Sequence, residues 1–405
     1  MKVYLCGIKM NNIKIKFKAF QFFQFGIMGV WAFYLPVFFS QRGFSGYQIG
    51  ALLGTMPIVV IGLQPVWSFL SDRLNTRKTI LLISCIGMGL TITGVGLASS
   101  FTFVMLWFIL FSAFWAPINP ISAAMLLEFL EETDEVGKYS LFRLWGSLGF
   151  GIISLLVGSF LLGQYINSLT WLAGGLYFFL GILSVFLPEK RVKTIHTKEK
   201  PNQTLKGNPK LIFYLLGSVF IGATLGIYNN TISLFLEFLN TQDWLIGLII
   251  SLQAFIEVLL MWVTPYIMKR CSQRWFIFTA TLLLVFRWVF YLIIQIPGWI
   301  APFQIIHGIA IVSSQVVGIS FIDQLINPRW RATVQGIYST AYNGVGVAMG
   351  VYLAGLVMEW FGIRSVWVLN IILGVIGLVL LAIAFNSKQQ AQDPLVLTNV
   401  FEEKS

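Results

Sequence analysis

Twelve stretches of apolar residues run through this chain, near residues 17–40, 46–70, 79–98, 101–127, 142–163, 168–187, 211–236, 244–268, 275–296, 298–325, 333–358 and 363–385. Each is long enough to cross a bilayer as a helix. Hydrocarbon offers no water to unpaired backbone groups, so only helices or closed barrels can span it. Several runs contain Pro or Gly, which neighbouring helices and side-chain hydroxyls compensate in lipid. The expected fold class is therefore an all-α membrane protein with twelve transmembrane helices.

The loops between the runs alternate in charge. Of the 27 Lys and Arg, 24 fall in the two tails and in the loops on one side, two (Arg42 and Arg364) fall on the other, and Arg287 lies inside a span. Basic residues collect on the cytoplasmic side, which places both termini and the long central loop there. The net charge of +11 then reports topology and attraction to anionic lipid, with no nucleic-acid partner implied. The run between Lys2 and Lys9 is too short for the core of a cleavable signal, so the first span is expected to act as its own signal. Cys6, Cys85 and Cys271 are scattered among tail, span and loop, a pattern that points to neither a disulfide framework nor a metal site.

A polar stretch from Pro188 to Lys210, rich in Lys, Thr and Asn, divides the spans six and six. It predicts an N-terminal six-helix bundle over 1–188, a cytoplasmic linker over 189–210 and a C-terminal six-helix bundle with a short cytoplasmic tail over 211–405. Paired bundles rocking about a central site are a common solution to alternating access in secondary transporters. A twelve-helix scaffold is the competing possibility, and ionisable residues inside the lipid argue against it.

The loop after the second span reads Ser68-Phe69-Leu70-Ser71-Asp72-Arg73-Leu74-Asn75-Thr76-Arg77-Lys78. It resembles the G-x-L-a-D-R-x-G-R-K signature of the major facilitator superfamily, with Ser68 and Asn75 in place of glycines and one extra residue before the basic pair. The resemblance implies a conformational latch made by Asp72, Arg73 and Arg77, in which the acid meets the positive end of a helix from the other half. Phe25-Gly26-Ile27-Met28-Gly29 with Tyr34-Leu35-Pro36, the segment Phe142-Arg143-Leu144-Trp145-Gly146-Ser147-Leu148-Gly149-Phe150-Gly151, and Pro328-Arg329-Trp330-Arg331-Ala332-Thr333-Val334-Gln335-Gly336 resemble the branch containing galactoside/proton symporters, nucleoside/proton symporters and phenylpropionate permeases. On physical grounds, Gly146, Gly149, Gly151, Gly344, Gly346 and Gly350 are expected to be packing residues that let helices approach closely.

Three ionisable residues lie within spans of the second half: Glu257, Arg287 and His307. At ~1.5 Å per residue they sit roughly 20 Å below the outer face, 18 Å above the inner face and 14 Å below the outer face respectively, all near the midplane of a core about 30 Å thick. A centred charge costs about 2.5–3.5 kcal/mol on insertion scales, so the three are expected to face one another in a single proton-coupling network. A guanidinium moving near a buried carboxylate changes its affinity for a proton, which is the chemistry that couples protons to solute. A static buried salt bridge is the plainer alternative.

By resemblance to the lactose/proton symporter family, Glu257 corresponds to a substrate-binding acid and Arg287 and His307 to proton-coupling residues. The family's carboxylate and lysine flanking the histidine are Ala310 and Gln304 here, and its sugar-stacking tryptophan is Phe150. A galactoside is therefore not implied. Glu128 with Arg143, echoed by Asp323 with Arg331, would hold substrate or form an internal gate. Gln24, Asn119, Asn230, Gln253 and Tyr342 are the other candidate substrate-binding residues, since amides in lipid bridge helices or face cavities.

No H-E-x-x-H, P-loop, G-x-S-x-G or Cys/His metal spacing occurs, so the sequence points to no enzyme, cofactor or metal. The expected function is a secondary active transporter of a bacterial-type inner membrane, a monomer importing a small organic solute with protons. Aromatic acid, nucleoside and saccharide remain open as substrates. A drug/proton antiporter and a non-transporting solute sensor are the rival classes.

Overall fold

The computed structural model describes residues 2–74, 76–133, 135, 138–163, 165–188, 208–326 and 330–386. Twelve helices are long and apolar enough to cross a membrane. We number them α1 (Asn12–Gln41), α2 (Gly46–Ser71), α3 (Arg77–Leu97), α4 (Phe101–Glu132), α5 (Tyr139–Phe160), α6 (Ile166–Val185), α7 (Pro209–Phe238), α8 (Asp243–Met268), α9 (Gln273–Ile293), α10 (Pro297–Asp323), α11 (Thr333–Phe361) and α12 (Ser365–Asn386). Most of the 189–210 linker, and the tail beyond Asn386, lie outside the described residues. "Inner" below denotes the end of the molecule bearing the Lys/Arg-rich loops, and "outer" the opposite end.

Small residues set the packing. A side chain at Gly149 would collide with the Phe22 carbonyl, one at Gly350 with the Ala223 carbonyl and one at Gly346 with the Val219 carbonyl, so α5 seats on α1 and α11 on α7 at backbone contact. Gly146 meets Phe25, Gly151 meets Phe255 and Gly344 meets Ile61, so all six glycines expected to pack do so.

Two contacts between the halves close the outer end. Gly50 on α2 lies so near Gly355 on α11 that an added Cβ would stand 2.7 Å from the Gly355 Cα, and Gly158 on α5 abuts Gly247 on α8. The Tyr47 and Tyr352 rings meet edge to face at 5.9 Å. Gln41 donates to Glu237 at 3.1 Å, and the Tyr47 backbone N–H donates to Glu359 at 3.3 Å, both across the seam. Gly46, Gly50 and Gly54 repeat every fourth residue, placing them on one face of α2; sequence reasoning passed over this readable signal.

The two outer arginines are both held by helix ends. Arg42 donates to the Ala98 carbonyl at 3.1 Å and to Val95 and Gly96 at the C-terminus of α3. Arg364 donates to Leu292 at 3.1 Å and Ile294 at 2.9 Å at the C-terminus of α9. Cations there meet the negative end of the helix dipole.

Spans α10 and α11 are not uniform α-helix. Each contains a π-helical segment, Ser313–Val317 in α10 and Thr340–Gly346 in α11. Such widened turns occur disproportionately at functional sites, and no residue pattern in the sequence announced them.

Candidate functional site

Between the halves lies a cavity of about 1550 Å³. It reaches the inner ends of α2, α5 and α11 at Ser68, Tyr139 and Thr333, while the glycine seams shut the outer end. Its walls are mixed. Phe25, Met28 and Trp115 supply apolar surface, Gln64, Asn119, Gln315 and Asn343 supply amides, and Arg143 and Glu257 supply charge.

Arg143 and Glu257 come from opposite halves. Arg143 projects from the inner half of α5 and lays its guanidinium on the Phe25 ring, 3.7 Å from the ring centre. One of its terminal nitrogens, Nη1, is buried without a hydrogen-bond partner. Glu257 is the acid that acts on Arg143, and Arg143 the charged residue that acts on Glu257. The helices carrying them touch at Gly158 with Gly247 and again at Gly151 with Phe255, and the two charged residues line the cavity further inward. A guanidinium and a carboxylate lining one cavity can together hold a neutral solute that offers both hydrogen-bonding senses.

The expected single network of Glu257, Arg287 and His307 is corrected: Arg287 and His307 stay together, and Glu257 belongs to the cavity instead. Arg287 is fully buried inside the C-terminal half. It donates to Tyr291 (Nε 3.1 Å, Nη2 2.8 Å), to Gln304 (Nη2 3.1 Å) and to His307 Nδ1 (Nη1 3.1 Å). The Tyr228, Trp288 and Tyr291 rings surround the guanidinium at 4.2, 4.9 and 4.9 Å. Because guanidinium only donates, His307 Nδ1 accepts and the ring proton sits on Nε2. Counting residues places depth along a helix but not the direction a side chain faces. That direction was legible, because Ala280, Thr281, Leu284, Arg287, Trp288 and Tyr291 form one buried helical stripe on α9.

Other expectations also move. Glu128 pairs with Arg77 rather than Arg143, tying α4 to the start of α3. The latch arginine Arg77 is therefore engaged, Arg73 is exposed, and the Asp72 side chain lies outside the described ones. Asp323 accepts from Gln335 at 2.8 Å, while Arg331 is exposed. Gln24 is buried and donates to Asn119 at 2.6 Å, so it positions a cavity residue from behind. Phe150 is buried against Phe33, with ring centres 5.8 Å apart, away from the cavity lining. Gln253 accepts from Tyr228 at 3.3 Å within the Arg287 group. Asn230 bonds its own helix at the Gly226 carbonyl, 2.8 Å. Tyr342 turns away from the cavity into the C-terminal half, and its neighbour Asn343 lines the cavity instead. Sequence reasoning named neither Gln64 nor Trp115, yet both line the cavity; Gln64 directly precedes Pro65 and Trp115 lies two residues before Pro117, where a span proline signals irregular helix.

Comparison with known proteins agrees with this architecture. The chain is 25% identical over 385 residues to the uncharacterized transporter YwbF of Bacillus subtilis (strain 168), covering 91% of this chain and 94% of that protein. It is 24% identical over 390 residues to a maltose permease of Geobacillus stearothermophilus (94% and 97% covered). It is also 24% identical over 383 residues to the nucleoside permease NupG of Escherichia coli (strain K12), covering 86% and 89%. A crystal structure of nucleoside transporter NupG superposes with a TM-score of 0.82 at 19% identity, covering 93% of this chain and all of that one. These relatives are permeases, not enzymes, and the twelve spans make this a multi-pass protein of the cell membrane that transports a small-molecule solute. Residues 14–369 match the MFS_1 like family, and the chain belongs to it.

Proposed function

We propose that this transporter is a proton-coupled symporter that imports a nucleoside-like solute, held between Arg143 and Glu257 in the central cavity. The observation that carries this reading is that one cation and one anion, from opposite halves, line the same cavity. Such a pair is neutral overall and suits an uncharged solute with a hydroxyl-bearing part and an aromatic part. The rings of Phe25 and Trp115 provide apolar faces for the latter. An aromatic acid fits less well: Arg287, its expected partner, is enclosed by neutral acceptors, and Arg143 is already opposed by a carboxylate.

In this reading the halves, residues 1–188 and 211–405 joined by the cytoplasmic segment 189–210, rock as two bodies, and one copy suffices because a single chain encloses the cavity. Protonating Glu257 removes the negative charge facing Arg143, and bound solute bridges what remains. Reorientation is then easy with both ligands or with neither. Asp72, Arg73 and Arg77 bias the inner end, with the Arg77–Glu128 pair as the contact that supports it. A saccharide is the second reading, favoured by the likeness to a maltose permease over nearly the whole chain.

Uptake of uridine, adenosine and maltose into proteoliposomes, with and without an inward proton gradient, tests this. Accumulation of a nucleoside that collapses with a protonophore is expected, and Glu257→Gln should retain exchange but lose gradient-driven accumulation. Full accumulation by Glu257→Gln refutes the coupling role, efflux driven by the same gradient makes the chain an antiporter, and binding without flux makes it a sensor.

A further inference from the structure

Behind the cavity wall, enclosed in the C-terminal half, lies a second cavity of about 10 Å³, room for a single water molecule. Its lining is polar for so deep a site, with hydroxyls from Ser218 on α7, Thr281 on α9, Ser314 on α10 and Tyr342 on α11. All four residues are more than nine-tenths buried.

The hydrogen-bond accounting around this cavity is one-sided. Ser218 has given its proton to the Tyr214 carbonyl (2.7 Å), Thr281 to the Ile277 carbonyl (2.9 Å) and Ser314 to the Ala310 carbonyl (2.9 Å). Each keeps lone pairs and lacks a donor. Tyr342 has the opposite need. Its hydroxyl has no hydrogen-bond partner, although the residue is only 3% exposed. A buried hydroxyl left this way is costly. One water accepting from Tyr342 and donating to two of the other three hydroxyls gives Tyr342 its partner and fills two of the three vacant acceptors.

We propose that this cavity is a structural water site, and that the water fastens the π-helical segments of α10 and α11 to each other from behind. Ser314 and Tyr342 belong to those two segments. The next residue of each, Gln315 and Asn343, faces the central cavity, where the two amides meet at 3.5 Å. The water therefore sets the register in which this amide pair is presented, and Tyr342 is a positioning residue rather than a contact for the transported solute. The inference does not depend on proton coupling or on the solute's identity.

The test is a high-resolution structure of the full-length protein together with Tm measurements on Tyr342→Phe and Ser314→Ala. A density peak within hydrogen-bonding distance of the Tyr342 Oη is expected, lost in Tyr342→Phe together with the Gln315–Asn343 contact, and Tm should fall by a few degrees in both variants. A hydroxyl that is truly unpartnered predicts the reverse, because removing it relieves a penalty. An unchanged or raised Tm in Tyr342→Phe, or a wild-type map without the peak, overturns the proposal. If Tyr342→Phe does not fold, the wild-type map and Ser314→Ala decide.

Discussion

The outer seam makes a quantitative prediction about Gly247→Ala. An added methyl at this position stands 3.0 Å from the Gly158 Cα and 3.0 Å from the Leu155 carbonyl oxygen, both backbone atoms of the facing helix that no rotamer change can move. Overpacking of this kind costs about 1–3 kcal/mol, and the cost falls only on the conformation in which α5 and α8 touch. The gain in helix propensity on replacing Gly is common to both conformations and cancels between them. The equilibrium should shift toward the outer-open form by about 5- to 150-fold. Ile49, 4% exposed and lining a vestibule of about 520 Å³ on the outer side, supplies the reporter. In a background with Cys6, Cys85 and Cys271 replaced by serine, an impermeant maleimide should alkylate Ile49→Cys faster by that same factor when Gly247→Ala is present. Gly62→Ala is the control, since an added Cβ there meets nothing within 4 Å. Unchanged alkylation with Gly247→Ala, or equal acceleration by Gly62→Ala, would refute the view that backbone contact at this seam holds the outer end shut.

Other perturbations separate the charged residues of the central cavity from the Arg287 group buried in the C-terminal half. Arg143→Met should abolish solute-induced thermal stabilisation, whereas Arg287→Met should lower Tm while leaving that stabilisation within tenfold, because its partners Tyr291, His307 and Gln304 lie behind the cavity. Equal loss of binding in both would place Arg287 at the solute. Arg42→Gln should destabilise by about 0.3–1 kcal/mol through loss of its contacts with the end of α3, read as a drop in Tm that Arg42→Lys partly restores. Lys138 and Lys14 hold the Glu135 carboxylate below its usual range, so its contribution is present above the unfolded-state pKa and disappears as pH falls through the lowered folded value. The Tm difference between wild type and Glu135→Gln should shrink over that acidic interval; a difference independent of pH would contradict the assignment.

The twelve spans were legible because lipid imposes one simple rule on length and polarity, and the glycines of α5 and α11 because only close packing explains so many small residues in an apolar helix. Azimuth was harder. The depth of Arg287 and Glu257 could be counted from the chain, but Arg287 lies on a stripe with Trp288 and Tyr291 that turns it inward, whereas Glu257 faces Arg143 across the halves. A contact between halves leaves no periodic trace in either one. Tyr342 and Asn343 show a further limit: a π-helical turn shifts the facing of every later residue, and hydropathy cannot register that shift.

Arg42 and Arg364, bound to helix-end carbonyls, have a consequence for the electrostatics of the outer end. Both keep their charge while fixed in place, and against these two cations the outer side sets three acids, Glu237, Asp243 and Glu359, for a small net negative charge. A small net negative charge disfavours anions and favours cations near that face, ahead of any contact with the cavity. Such selection operates at a distance, and it should fade as added salt shortens the reach of the field.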